Sequence, residues 1–148
     1  MRMIVTAALM LGLAGAAQAQ AVTKGPLALS GLAVRAAPAG LPTSAAYLTI
    51  DNHGKWPDTL LSVACACAAS AMMHESRTRN GVSSMTMLGQ VTIPAGGQVR
   101  FRPDGLHVML VGLKGPLKSG ATQQMVLTFK KAGSVKAPFR VLDVIPAR

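Results

Sequence analysis

Acidic and aromatic residues are scarce in this chain. Its 148 residues hold five Asp or Glu against fifteen Lys or Arg, with one Trp, one Tyr and three Phe. So few carboxylates, with no triad-like spacing of nucleophile and base, argue against an enzyme. The formal charge of +10 suits solubility, or attraction to an acidic partner or anionic lipid heads. The shortage of aromatics and the lack of any recognition motif exclude nucleic acid as the expected partner. Cysteine is nearly absent. In an extended strand, Cys65 and Cys67 share a face with Cα atoms roughly 6.5–7 Å apart, at the outer edge of disulfide reach. They are expected to be a poor staple: either two small buried strand residues or an auxiliary soft-metal or redox pair. Beyond the N-terminal segment no stretch approaches the about eighteen apolar residues of a spanning helix, so no stable membrane insertion is expected.

What is present begins with a leader. Met1-Arg2-Met3 is a short basic start, and Ile4 to Ala16 is an apolar run too short to span a bilayer. Ala17-Gln18-Ala19 then supplies the small-x-small pattern of a signal-peptidase site, repeated at Ala19-Gln20-Ala21. The expectation is a cleaved signal over residues 1–19 and one exported domain over 20–148. Loss of Arg2 takes the charge from +10 to +9.

The rest reads as strands and turns. Val22 to Pro26 is a loose lead-in. Strands are expected at Leu27 to Arg35, Ala45 to Ile50, Thr59 to Cys67 and Met72 to Glu75. Others follow at Ser84 to Leu88, continued by Gln90 to Ile93, at Gln98 to Arg102, Leu106 to Leu113, around Met125, Leu127 and Phe129, and from Ser134 to Val144. Arg77 to Gly81 is a turn centred on Asn80-Gly81, and Pro138 suggests an edge or a bulge. No helical period appears after the leader. Many short strands with frequent turn signals predict an all-β fold, a two-sheet antiparallel sandwich.

The chemistry concentrates between His74 and Met109. With Leu106, Val108 and Leu110 facing the core, His107 and Met109 share the opposite face, about 7 Å apart at Cα. Met85 and Met87 repeat the arrangement, and His74 ends the apolar Met72-Met73 pair. Taken singly, a methionine is more often core filler and a histidine a solvated residue. Together they make a ligand set of imidazoles and thioethers with little carboxylate. Zinc prefers thiolate, imidazole or carboxylate, whereas thioether sulfur suits Cu(I).

The spacing sharpens this. His74, ten residues, Met85, twenty-one residues, His107, one residue, Met109 resembles the ligand motif of the periplasmic copper chaperones called PCuAC. The likeness continues through Ala46-Tyr-Leu-Thr-Ile-Asp-Asn-His-Gly54, the Asn80-Gly81-Val82 turn, Ile93 to Gly97, Leu106 to Leu110 and Gly112-Leu113-Lys114. It covers nearly all of the mature chain. The resemblance implies a cupredoxin-like β-sandwich of Greek-key type, with Cu(I) held by His74, Met85, His107 and Met109. It implies a periplasmic carrier that delivers copper to a receiving protein, either a cytochrome c oxidase subunit or a thiol-containing assembly partner. A monomer with one site is expected. Leu32-Ala33-Val34-Arg35 lacks the Trp common before that Arg in the family, and no Met/His-rich extension follows the last strand.

Two other readings stay open. One is copper storage or resistance without a dedicated recipient. The other is an electron-transfer cupredoxin, which needs a Cys thiolate beside two His and a Met, although the usual loop grouping these residues is missing. Met72 and Met87 are expected beside the site or in the core rather than as ligands, and Met125 in the core. Lys114 and Lys118 are candidates for docking an acidic recipient.

Overall fold

A computed structural model describes residues 21–146; the expected signal and its cleavage point lie outside them. Eleven strands follow in order: β1 (Val22–Lys24), β2 (Leu27–Arg35), β3 (Thr43–Asn52), β4 (Asp58–Cys65), β5 (Ala68–Arg79), β6 (Val82–Leu88), β7 (Val91–Ile93), β8 (Gln98–Arg100), β9 (Leu106–Leu113), β10 (Thr122–Phe129) and β11 (Gly133–Leu142). There is no helix among the described residues. The expected all-β, cupredoxin-like sandwich is the fold found.

Hydrogen bonding runs along one path, β6-β5-β9-β3-β2-β11-β10-β4-β7, with β1 added to β2 and β8 to β3. The path folds over so that both halves share one core. Leu110 and Met73 from the first half join Leu60, Met125 and Phe129 from the second in a single buried cluster. The alternation that named the strands also built this core. In β10, Met125, Leu127 and Phe129 are buried while their neighbours are not, because successive strand residues point to opposite faces. Fully burying one such side chain contributes about 1.5–3 kcal/mol.

The structure differs from the sequence expectation in five places. Val22–Lys24 is not a loose lead-in but a short strand paired with Leu27–Leu29. β5 extends to Arg79, because Arg77, Thr78 and Arg79 pair with Ser84, Ser83 and Val82; only Asn80 and Gly81 make the turn. One pair is parallel, not antiparallel: β11 meets β2 over Arg140–Leu142. That contact also places Pro138 on an interior strand rather than an edge. Proline is tolerated there because β2 pairs only with residues 140–142, so no ladder donor is missing at 138 on that side.

The fifth difference is the cysteine pair. β4 ends at Cys65, and Ala66 and Cys67 turn the chain into β5. Turning shortens the extended-strand span, so the Cα atoms lie 5.1 Å apart and Cys65 and Cys67 form a disulfide. A ring this small restricts the unfolded chain little, under about 2 kcal/mol by loop entropy. No cysteine is free among the described residues.

Candidate metal centre

The site is assembled by strand register. Asn80 and Gly81 both have positive φ, 51° and 75°, as a two-residue type I′ hairpin requires. The turn sets Met85 opposite Ser76 and Met87 opposite His74. On the other side of β5, Met72 faces Met109 and His74 faces His107. Directly opposed residues project to the same side, as do residues two apart on one strand. Met72, His74, Met85, Met87, His107 and Met109 therefore lie on one face of the β6-β5-β9 unit. The other face sends Met73, Val108 and Leu110 into the core.

Each donor is held differently. His107 is only 8% exposed, and its Nδ1 lies 3.0 Å from the Gly105 carbonyl oxygen. With Nδ1–H donating there, Nε2 keeps its lone pair for an ion. The same carbonyl accepts the Ser76 N–H at 3.1 Å, so the Pro103-Asp104-Gly105 turn orients His107 and joins it to β5. The His74 ring centroid is 5.8 Å from that of His107. The Nδ1 of His74 is buried with no hydrogen-bond partner, a cost that a bound ion would relieve. Met109 is half-buried, while Met85 is exposed. A cleft of about 380 Å³ is lined by Met85, His107 and Met109 together with Tyr47, Arg35 and Asp104. Three of the four expected ligands thus share one cleft, and His74 adjoins it through His107.

Tyr47, Arg35, Asp104 and the Gly105 carbonyl carry no signal in the ligand spacing; they arrive from β2, β3 and the turn before β9. Lys114 and Lys118 do not line the cleft; Lys114 lies just past the far end of β9, roughly 20 Å from His107 by strand rise. Glu75 turns away from the donor face and pairs with Arg77 at 3.0 Å.

Among the described residues no three His, Cys, Asp or Glu side chains converge on a possible metal position. The further side chains on the face of His74 and His107 are thioethers, a donor set that suits Cu(I) better than hard cations. Burial first, and the nearby His107 second, push the His74 pKa below the ordinary 6.5. A His with a lowered folded pKa contributes stability above its unfolded pKa, lost as pH falls through the folded one. In the metal-free protein, an NMR titration of the His74 ring should give a midpoint below 6.5 that moves upward in His107→Ala. A midpoint at or above 6.5 would show that the ring is not desolvated as described.

Comparison with known proteins places the chain. The family model "Putative lipoprotein LpqE-like" matches residues 27–141. "Putative lipoprotein Lxx21020" of Leifsonia xyli subsp. xyli (strain CTCB07) is 32% identical over 151 residues, covering 97% of this chain and 90% of the relative. Among solved structures, CuI-DR1885 from Deinococcus radiodurans is 34% identical, with 89% of this chain and 87% of that one covered and a TM-score of 0.66. The copper-bound PCuAC domain from PmoF2 matches with a TM-score of 0.73 over 84% of this chain and 99% of that domain; at 24% identity it speaks for the fold. The chain belongs to the LpqE-like family, a relative of the PCuAC copper chaperones whose fold it shares.

Proposed function

We propose that this protein is an exported carrier of Cu(I), which it holds through His74, Met85, His107 and Met109 and passes to a copper-receiving protein. The observation that carries the reading is the register pairing His74 with His107 on a face otherwise furnished with thioethers. Two imidazoles and two thioethers add no negative charge, a set that favours Cu(I) over divalent ions. One solved relative supports the cargo, since the 34% identical neighbour is a Cu(I) form. The lipoprotein name of the Leifsonia relative supports a location outside the cytoplasm, here the periplasm. By resemblance, the recipient is the copper site of a haem-copper cytochrome oxidase, reached directly or through a thiol-containing partner.

A carrier must release what it binds. Thioether bonds to Cu(I) carry no proton and can be exchanged one at a time, so a recipient can take the ion stepwise. The electron-transfer alternative lacks its thiolate, because Cys65 and Cys67 are bonded to each other. Storage without a recipient uses the same ligands and is separated from delivery by phenotype.

The test has two arms. Anaerobic competition of the apo protein against a chromophoric Cu(I) chelator should show one ion retained per chain; no retention would end the proposal. Deleting the gene should lower oxidase activity under copper limitation. Copper sensitivity with normal oxidase activity would favour storage instead.

A further inference from the structure

Met87 is left over from the four-ligand set, yet it is placed like a donor. It is 64% exposed, so it fills no core. It stands directly across from His74 and two residues from Met85. Directly opposed side chains have Cβ atoms about 4.5–5.5 Å apart, within reach of an ion carried on the His74 ring. It does not line the cleft that Met85, His107 and Met109 share. β6 is the last strand of the hydrogen-bonded path, so its outer edge is open. The donors thus form a route: the cleft, then His107, then His74 at 5.8 Å between ring centroids, then Met87 at the sheet edge. Met72 offers no such exit, since it pairs with Met109 and is half-buried.

We propose that Met87 is the hand-over ligand of this site, an inference that rests on the reading of the face as a Cu(I) centre. At rest, Cu(I) is held by His74, Met85, His107 and Met109. During release one of the resident thioethers dissociates and the Met87 sulfur binds in its place, drawing the ion to the rim beside His74. One Cu–S bond breaks as another forms. Copper stays in the +1 state and no proton moves, because a thioether has none to lose. The recipient then meets an ion already at an open strand edge, not one inside the cleft.

The test compares wild type, Met87→Leu and Met85→Leu, each loaded with one Cu(I) under anaerobic conditions. Leucine keeps bulk and apolarity at exposed positions, and circular dichroism checks the fold. Three quantities are read: equilibrium affinity against a chromophoric chelator, the rate of Cu(I) loss to excess chelator, and the copper–sulfur count by X-ray absorption. The expected result is that Met87→Leu slows transfer at least tenfold, lowers affinity less than threefold and leaves the sulfur count unaltered. Met85→Leu should lower affinity more than tenfold and remove one sulfur. Transfer from Met87→Leu at the wild-type rate would overturn the proposal. So would a Met87→Leu affinity loss matching that of Met85→Leu with one sulfur gone, since Met87 would then be a resident ligand. If wild type itself retains no Cu(I), the copper reading fails first and this inference with it.

Discussion

Replacing His107 by alanine should lower Cu(I) affinity at least a hundredfold, about 2.7 kcal/mol. His107 is the most buried donor of the set, and its free Nε2 is already oriented by the bond from Nδ1–H to Gly105. Its loss would remove an imidazole that the Gly105 carbonyl already orients, and leave His74 without its partner across β5 and β9. Met85→Ala should lower affinity at least tenfold, a smaller effect because thioether is the weaker donor and Met85 is 55% exposed. His53 sits in an exposed loop, so His53→Ala serves as the control and should leave affinity untouched. Competition against a chromophoric chelator reads all three. A loss under tenfold for both His107→Ala and Met85→Ala would remove the site assignment.

A second large effect is expected far from the donors. Asp58 is buried at 5% exposure, and its carboxylate accepts three backbone N–H groups: Thr59 at 2.7 Å, Lys131 at 2.8 Å and Ala132 at 3.0 Å. It thereby ties the start of β4 to the turn between β10 and β11. Hydrogen bonds to a charged acceptor are worth more than neutral ones, and donors left unpaired cost their desolvation. Asp58→Ala should destabilise the fold by about 3 kcal/mol or more, seen as a lower urea midpoint at unchanged slope. Asp58→Asn, which keeps one acceptor oxygen, should lose roughly half of that. A change under about 1 kcal/mol in Asp58→Ala would mean that water replaces the carboxylate at these donors. Cu(I) affinity should not change in either variant, because β5, β6 and β9 carry the donors and Asp58 touches none of them.

The fold is largely legible in the sequence. Leu106–Leu113 stands as a strand at the expected limits, and Met125, Leu127 and Phe129 are buried as their alternation demands. Both follow from a two-residue period that reports burial directly. Errors gathered where the controlling contact was distant. The Arg77 to Arg79 segment looked like a turn because it is polar, but a polar edge hairpin needs no apolar pattern once a type I′ turn holds it. The cysteines looked too far apart because the bend after Cys65 leaves no mark in an Ala-rich stretch. Pro138 suggested an edge, and only the three-residue pairing of β11 with β2 shows why an interior strand accepts it.

For the candidate site the division is similar. Residue order and alternation put His107 with Met109, and Met85 with Met87, on a side turned away from the core, because side-chain direction along a strand is local. Which strands meet, and at what offset, is not local. That His74 opposes His107, that Met87 rather than Met85 faces His74, and that Gly105 orients His107 depend on register. Register comes from burying Met73, Val108 and Leu110 together and from the Asn80-Gly81 turn, since a slip of one residue would exchange core and donor faces. The candidate donors are written along the chain; their proximity exists only once three strands, far apart in sequence, have packed on a common core.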